Sequence, residues 1–187
     1  PFFSRTIFFV LAISALLGTA AMILLGTSAP LITRLATKPS QVGPAFYNKV
    51  TLPIGILLAI LLSLVPYLQW RGASAEFRKR MTAAGLLAIV FTAVGVALGA
   101  FGVLYVLFLF VSLFAFFSNL LKTIDEFRKK RTKVAGGYLA HVGLGLMLAG
   151  IITSSAFNRT EKVVLPLGEG RQVLGYTLTF KGVDKPT

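Results

Sequence analysis

MTAAGLLAIVFTAVGVALGAFGVLYVLFLFVSLFAFFSNLL, Met81 to Leu121, contains no charged residue. As one α-helix it would measure roughly 60 Å at 1.5 Å per residue, about twice the hydrocarbon core of a bilayer. Two spans must therefore share it. Their break falls at the densest glycine cluster, Gly99 to Gly102, which predicts a very tight hairpin. The second span is rich in phenylalanine (Phe101, Phe108, Phe110, Phe114, Phe116, Phe117), with few small residues in its second half. It is expected to face lipid.

The rest of the chain follows from that hairpin. An apolar run from Ile7 to Leu25 has the length of a spanning helix. It is too long for the core of a signal peptide, and is expected to end in GTSAPLI (26–32) because Pro30 disfavours helix before it. A loop, Thr33 to Lys49, carries VGPAFYN (42–48). There Gly43-Pro44 signals a turn, and Phe46 and Tyr47 suit a membrane interface. The next span, Thr51 to Leu68, has Pro53 near its start, where proline is tolerated, and Pro66 near its end, where it kinks or stops a helix. Tyr67 and Trp70 mark an interface before the basic stretch Arg71 to Arg80. KTIDEFRKKRTK (122–133) is expected to be a solvated loop. The last span, about 134–154, precedes a change of character at Phe157. Glu161 to Leu165 and Arg171 to Phe180 alternate as strands do, with Pro166 and Gly168-Glu169-Gly170 as the turn between them.

The expected architecture is therefore an all-α polytopic membrane protein with about five transmembrane helices, followed by the start of a small β segment. Residues 1–156 form the transmembrane domain (spans about 7–25, 51–68, 82–98, 102–121 and 134–154), and 157–187 the β segment. A chain that starts at Pro1 and stops in a β segment is expected to be a piece of a longer protein.

Composition agrees: of 187 residues, 56% are hydrophobic and 13% charged. The net charge of +13 does not point to nucleic acid, because the basic residues cluster between apolar runs as cytoplasmic loops do. Arg5 and the stretches 71–80 and 122–133 carry eleven Lys or Arg, against three (Arg34, Lys38, Lys49) in the short segments of the other side. The basic side is then cytoplasmic and the C-terminal segment extracytoplasmic. With no cysteine, the chain has no disulfide, thiolate metal site or cysteine nucleophile.

One ionisable residue remains inside a span. GGYLAHVGLGLMLAGIITSS (136–155) holds His141, the only histidine, with Gly137 four residues before and Gly145 four after, on one helix face. An ionisable residue at membrane depth marks a functional site by default. The six acids lie in loops or the tail, so no carboxylate pair serves acid–base work, and neither a nucleophile triad nor a phosphate-binding glycine motif is present. Two readings of His141 stand: an axial ligand of haem, with glycines making room for the porphyrin, and a hydrogen bond to a neighbouring helix.

GTSAPLI (26–32), VGPAFYN (42–48) with Pro53, GGYLAHVGLGLMLAG (136–150) and GYTLTF (175–180) resemble, in order and spacing, the C-terminal portion of the cytochrome c maturation protein F family, CcmF and its nitrite-reductase-associated (NrfE-type) relatives. The resemblance implies a component of a cytoplasmic (inner) membrane haem lyase. Such a protein receives haem from the chaperone CcmE and supports thioether attachment to apocytochrome c presented by a CcmH-type subunit. It also implies a haem b held by two membrane histidines, of which His141 matches one, with Gly137 and Gly145 as cofactor-binding neighbours; Ala140 stands where glycine is frequent. The second histidine and the tryptophan-rich WWD segment have no counterpart, so this stretch alone is not expected to be active. Membrane lipid is an expected partner and nucleic acid is not. An electron-transfer anchor and a transporter module with His141 as proton relay are the alternatives.

Overall fold

The computed structural model describes residues 4–35, 40–69, 72–73, 76–99, 102–158, 161 and 163–183. The chain divides into two compact units, Pro1–Ala156 and Phe157–Thr187. The first is helical: α1 (Arg5–Arg34), α2 (Pro44–Leu64) with a 3₁₀ turn at Val65–Tyr67, a two-stranded ribbon of β1 (Leu68–Gln69) and β2 (Gly72–Ala73), α3 (Phe77–Ala97), α4 (Val103–Arg128) and α5 (Thr132–Phe157). Among the described residues, five helices are long and apolar enough to cross a membrane. The second unit is a hairpin of β3 (Gly170–Val173) and β4 (Tyr176–Thr179).

The expected hairpin between the third and fourth spans is present. Helix α3 stops at Ala97, Gly99 takes a left-handed φ of 114°, and Gly102 is extended before α4. Only glycine adopts the first of these conformations cheaply. Ala100 and Phe101, like Trp70, fall outside the described residues.

The prolines act differently from expectation at two places. Helix α1 runs through Pro30 to Arg34, and α2 begins at Pro44, so Pro53 is interior. Proline has no N–H to give the carbonyl four residues back, so Pro30 leaves the Gly26 carbonyl, and Pro53 the Lys49 carbonyl, without its helical donor. Beside Pro30, Thr33 donates to the Ala29 carbonyl at 2.7 Å and Thr27 to that of Ile23 at 2.8 Å. VGPAFYN is therefore not an interfacial turn: Gly43 caps α2, and PAFYN forms its opening turns. Pro66 does end α2 in the 3₁₀ turn.

Helix α4 is the centre of the bundle, which corrects the lipid-facing assignment. One of its faces carries small and polar residues: Ser112, Ala115, Ser118 and Asn119 are all fully buried. Against α2, the Ser118 hydroxyl donates to the Ser63 carbonyl, and Asn119 Nδ2 donates to the Leu62 carbonyl at 3.0 Å. Close approach on small residues, sealed by interhelical hydrogen bonds, is how helices associate where lipid is as apolar as leucine. On its other side α4 meets Ala84 and Ala88 of α3 through Phe117, while Ala149 and Ile152 of α5 join Phe108, Leu109 and Val111. Helix α1 is peripheral and touches α2, with Phe8 in a cluster with Leu61 and Leu68.

KTIDEFRKKRTK is also corrected. It continues α4 to Arg128, and only Lys129 to Arg131 form the turn into α5. Asp125 and Glu126 are buried, not solvated. Arg80 of α3 pairs with Asp125, and the Arg131 Nε lies 2.8 Å from Glu126 Oε2, with Lys122 Nζ 3.2 Å from Oε1. Buried carboxylates persist only with such partners. Tyr67 belongs to the same end of the bundle: it is 1% exposed rather than interfacial, and its hydroxyl donates to the Ser118 carbonyl at 3.1 Å.

In the second unit the single strand expected over Arg171–Phe180 folds back on itself. Leu174 (φ 50°) and Gly175 (φ 87°) form a two-residue turn, and Val173 pairs with Tyr176. Two left-handed residues match the twist of a hairpin. No strand covers the described residues among 161–165, and the chain before Gly168 joins Phe180 by a bridge at Leu167.

Candidate cofactor site

Helix α5 presents three different sides. Ala135, Val142, Gly145, Ala149 and Ile152 are buried. Gly145 lies against the α4 backbone: a Cβ there would sit 2.8 Å from the Phe116 nitrogen and 2.9 Å from its Cα. Gly137, by contrast, has nothing within 4 Å of a built Cβ. Eight residues at 3.6 per turn rotate the helix about 80° beyond two full turns, which separates the two glycines. His141 falls between them, half-buried.

His141 looks into a cavity of ≈ 420 Å³ formed where α1, α2 and α5 splay apart. Its walls include Phe9, Ala12 and Leu16 from α1, Gly55 and Leu62 from α2, and Leu148 from α5. His141 is the one titratable group in this lining. Its Nδ1 is buried and has no hydrogen-bond partner. A buried polar atom without a partner is costly. Gly55, on the α2 wall, also makes room for the Phe108 ring of α4, 3.1 Å from where a Cβ would stand.

That α1 and α2 supply most of this wall was not foreseen from the residue pattern. The only available signal was Gly55, a lone glycine in an otherwise bulky run. Among the described residues no group of three or more His, Cys, Asp or Glu converges on a metal position. A metal held here through His141 must therefore bring most of its own ligands, as an iron porphyrin does.

The fold and this cavity define a multi-pass membrane protein with a single imidazole facing an apolar pocket. No family model matches the chain, and no solved structure is similar to it. Curated proteins are. The chain is 26% identical over 179 residues to cytochrome c-type biogenesis protein CcmF of Pseudomonas fluorescens, covering 89% of the chain. It is 31% identical over 183 residues to CycK of Rhizobium meliloti, covering 87%, and 31% identical over 183 residues to ccl1 of Rhodobacter capsulatus, covering 91%. Over most of its length the chain is similar to a portion of these cytochrome c-type biogenesis proteins. It spans only 27–28% of the length of these relatives.

Proposed function

We propose that this chain forms part of a membrane haem lyase for c-type cytochrome biogenesis, and that His141 is one axial ligand of a resident haem b. The observation that carries the reading is the His141 imidazole, its Nδ1 buried without a partner, at the wall of an apolar cavity. The residues fit the group. An imidazole nitrogen is a haem iron ligand, and the lining is apolar. One histidine supplies one axial position; the family resemblance implies a second histidine that has no counterpart in this stretch.

When bound, haem b supplies one-electron chemistry, with which the family resemblance associates reduction of the incoming haem. This chain's own residues hold and orient. Gly145 fixes α5 against α4 and thereby sets the height of His141. The α1 and α2 walls exclude water, which tunes a haem potential through burial. Haem delivery by CcmE and presentation of apocytochrome c by a CcmH-type subunit belong to the same proposal, as does residence in the cytoplasmic membrane. The positive-inside count puts the α1 N-terminus on the cytoplasmic side, with His141 in the half of α5 nearer that side and residues 157–187 extracytoplasmic.

Among the described residues, no second station for the proton-relay alternative lines the cavity. Asp125 and Glu126 are paired with Arg80, Lys122 and Arg131, and the cavity lining contains no carboxylate. The test of the lyase role is genetic: a strain carrying His141→Ala is expected to lose mature c-type cytochromes, and normal maturation in that strain overturns the role.

A further inference from the structure

Apart from the imidazole, every side chain lining the His141 cavity is apolar. An ionised carboxylate left unpaired in such surroundings is very costly. Haem is a flat apolar ring that carries two carboxylates, its propionates. On the haem reading of this cavity, those carboxylates must therefore leave it where a cation reaches the rim.

The three helices around the cavity each carry a cation close to it in sequence. On α1, Arg5 stands four residues before Phe9, the first lining residue of that helix. Four residues rise about 6 Å and turn the helix about 40° beyond one full turn, so the two share a face. Their side chains meet, with the Arg5 guanidinium carbon 5.4 Å from the centre of the Phe9 ring. Phe8 packs with Leu61 and Leu68, and Leu61 and Val65 line the same cavity. Arg5 thus lies at a rim formed by the start of α1 and the end of α2. Lys49 of α2 is exposed, and the six residues to Gly55 leave it about 120° off the lining face. Lys133 of α5 is exposed and eight residues before His141, about 12 Å along the axis. Arg80 is held by Asp125, and Lys122 and Arg131 by Glu126.

We propose that Arg5 holds a propionate of the haem bound at His141, and so sets which way round the macrocycle enters. This rests on the haem reading given above. A guanidinium suits the part, because its planar fork meets a carboxylate with two parallel hydrogen bonds. Its five N–H donors leave others for neighbouring acceptors. Cation–π attraction to Phe9 keeps the head near the rim. A lysine at the same position would meet the carboxylate only as a point charge.

The experiment titrates the full-length complex, purified from haem-starved cells, with haem and with haem dimethyl ester, followed by absorbance. The ester keeps the iron and the ring but carries no carboxylate charge. Wild type is expected to bind haem roughly ten- to hundredfold more tightly than the ester, the worth of a hydrogen bond to a charged group. Arg5→Gln is expected to bind the two alike, and Arg5→Lys to recover part of the preference. The wild-type comparison needs no variant, so it stands even where Arg5→Gln fails to fold. Equal binding of haem and ester by the wild type overturns the proposal, as does a preference that survives Arg5→Gln; in both cases the haem site remains without Arg5. A wild type that binds neither compound overturns the haem reading itself, and this proposal with it.

Discussion

Gly145 of α5 rests on the backbone of Phe116 in α4, so close that a methyl group would stand 2.8 Å from the Phe116 nitrogen. Backbone cannot swing aside as a side chain can. Gly145→Ala is therefore expected to push the helices apart and to cost about 1–3 kcal/mol, the usual range for overpacking. Gly137→Ala, four residues on the other side of His141, meets open space. It is expected to raise stability by about 0.5–1 kcal/mol, because alanine is the better helix former. Thermal unfolding of the two variants in detergent checks the contrast.

The ion pair between Arg80 and Asp125 ties α3 to the end of α4. Arg80→Leu leaves a buried carboxylate without its partner and is expected to cost about 3–5 kcal/mol. Asp125→Leu added to it should recover most of that loss, since two apolar side chains replace a buried pair at little cost. A double-mutant cycle by chemical unfolding reads the coupling. Additive losses would show that the pair is solvated.

Lys130 holds a left-handed φ of 58° at the α4–α5 turn, where the Arg131 amide bonds the Glu126 carbonyl at 2.9 Å and the Lys130 amide bonds that of Phe127 at 2.9 Å. This is the Schellman arrangement, whose left-handed position is usually glycine. Lys130→Gly is expected to stabilise the chain by about 1 kcal/mol, the left-handed penalty of an ordinary residue. The midpoint of thermal unfolding should rise.

Tyr47 explains why α1 and α2 approach as they do. A Cβ at Gly26 would stand 2.8 Å from its hydroxyl. Gly26→Val is expected to destabilise by about 1–3 kcal/mol, and Tyr47→Ala in the same chain to relieve part of the strain. Unfolding of the single and double variants distinguishes this contact from a surface position, where the two effects would simply add.

The number of spans and the hairpin at Gly99 were legible because a long uncharged stretch admits few solutions in a bilayer of fixed thickness. What escaped was pairing between distant residues. Asp125 and Glu126 sit among basic residues, so KTIDEFRKKRTK looked solvated; the arginine that buries Asp125 is Arg80, on another helix. VGPAFYN looked like a turn because the glycine that receives Tyr47 lies in α1. The phenylalanines of α4 drew attention from Ser112, Ala115 and Ser118, whose spacing of three marks a packing face. His141 was visible as a costly residue, but its cavity is built by α1 and α2, whose apolar residues carry no individual signal.

Haem ligation by His141 is read out in the reduced-minus-oxidised absorbance of the complex purified from membranes. Wild-type material should show a b-type spectrum. His141→Ala should lose it at equal protein yield, and added imidazole, entering the vacated cavity, should restore part of it. An unchanged b-type spectrum in His141→Ala would contradict the account.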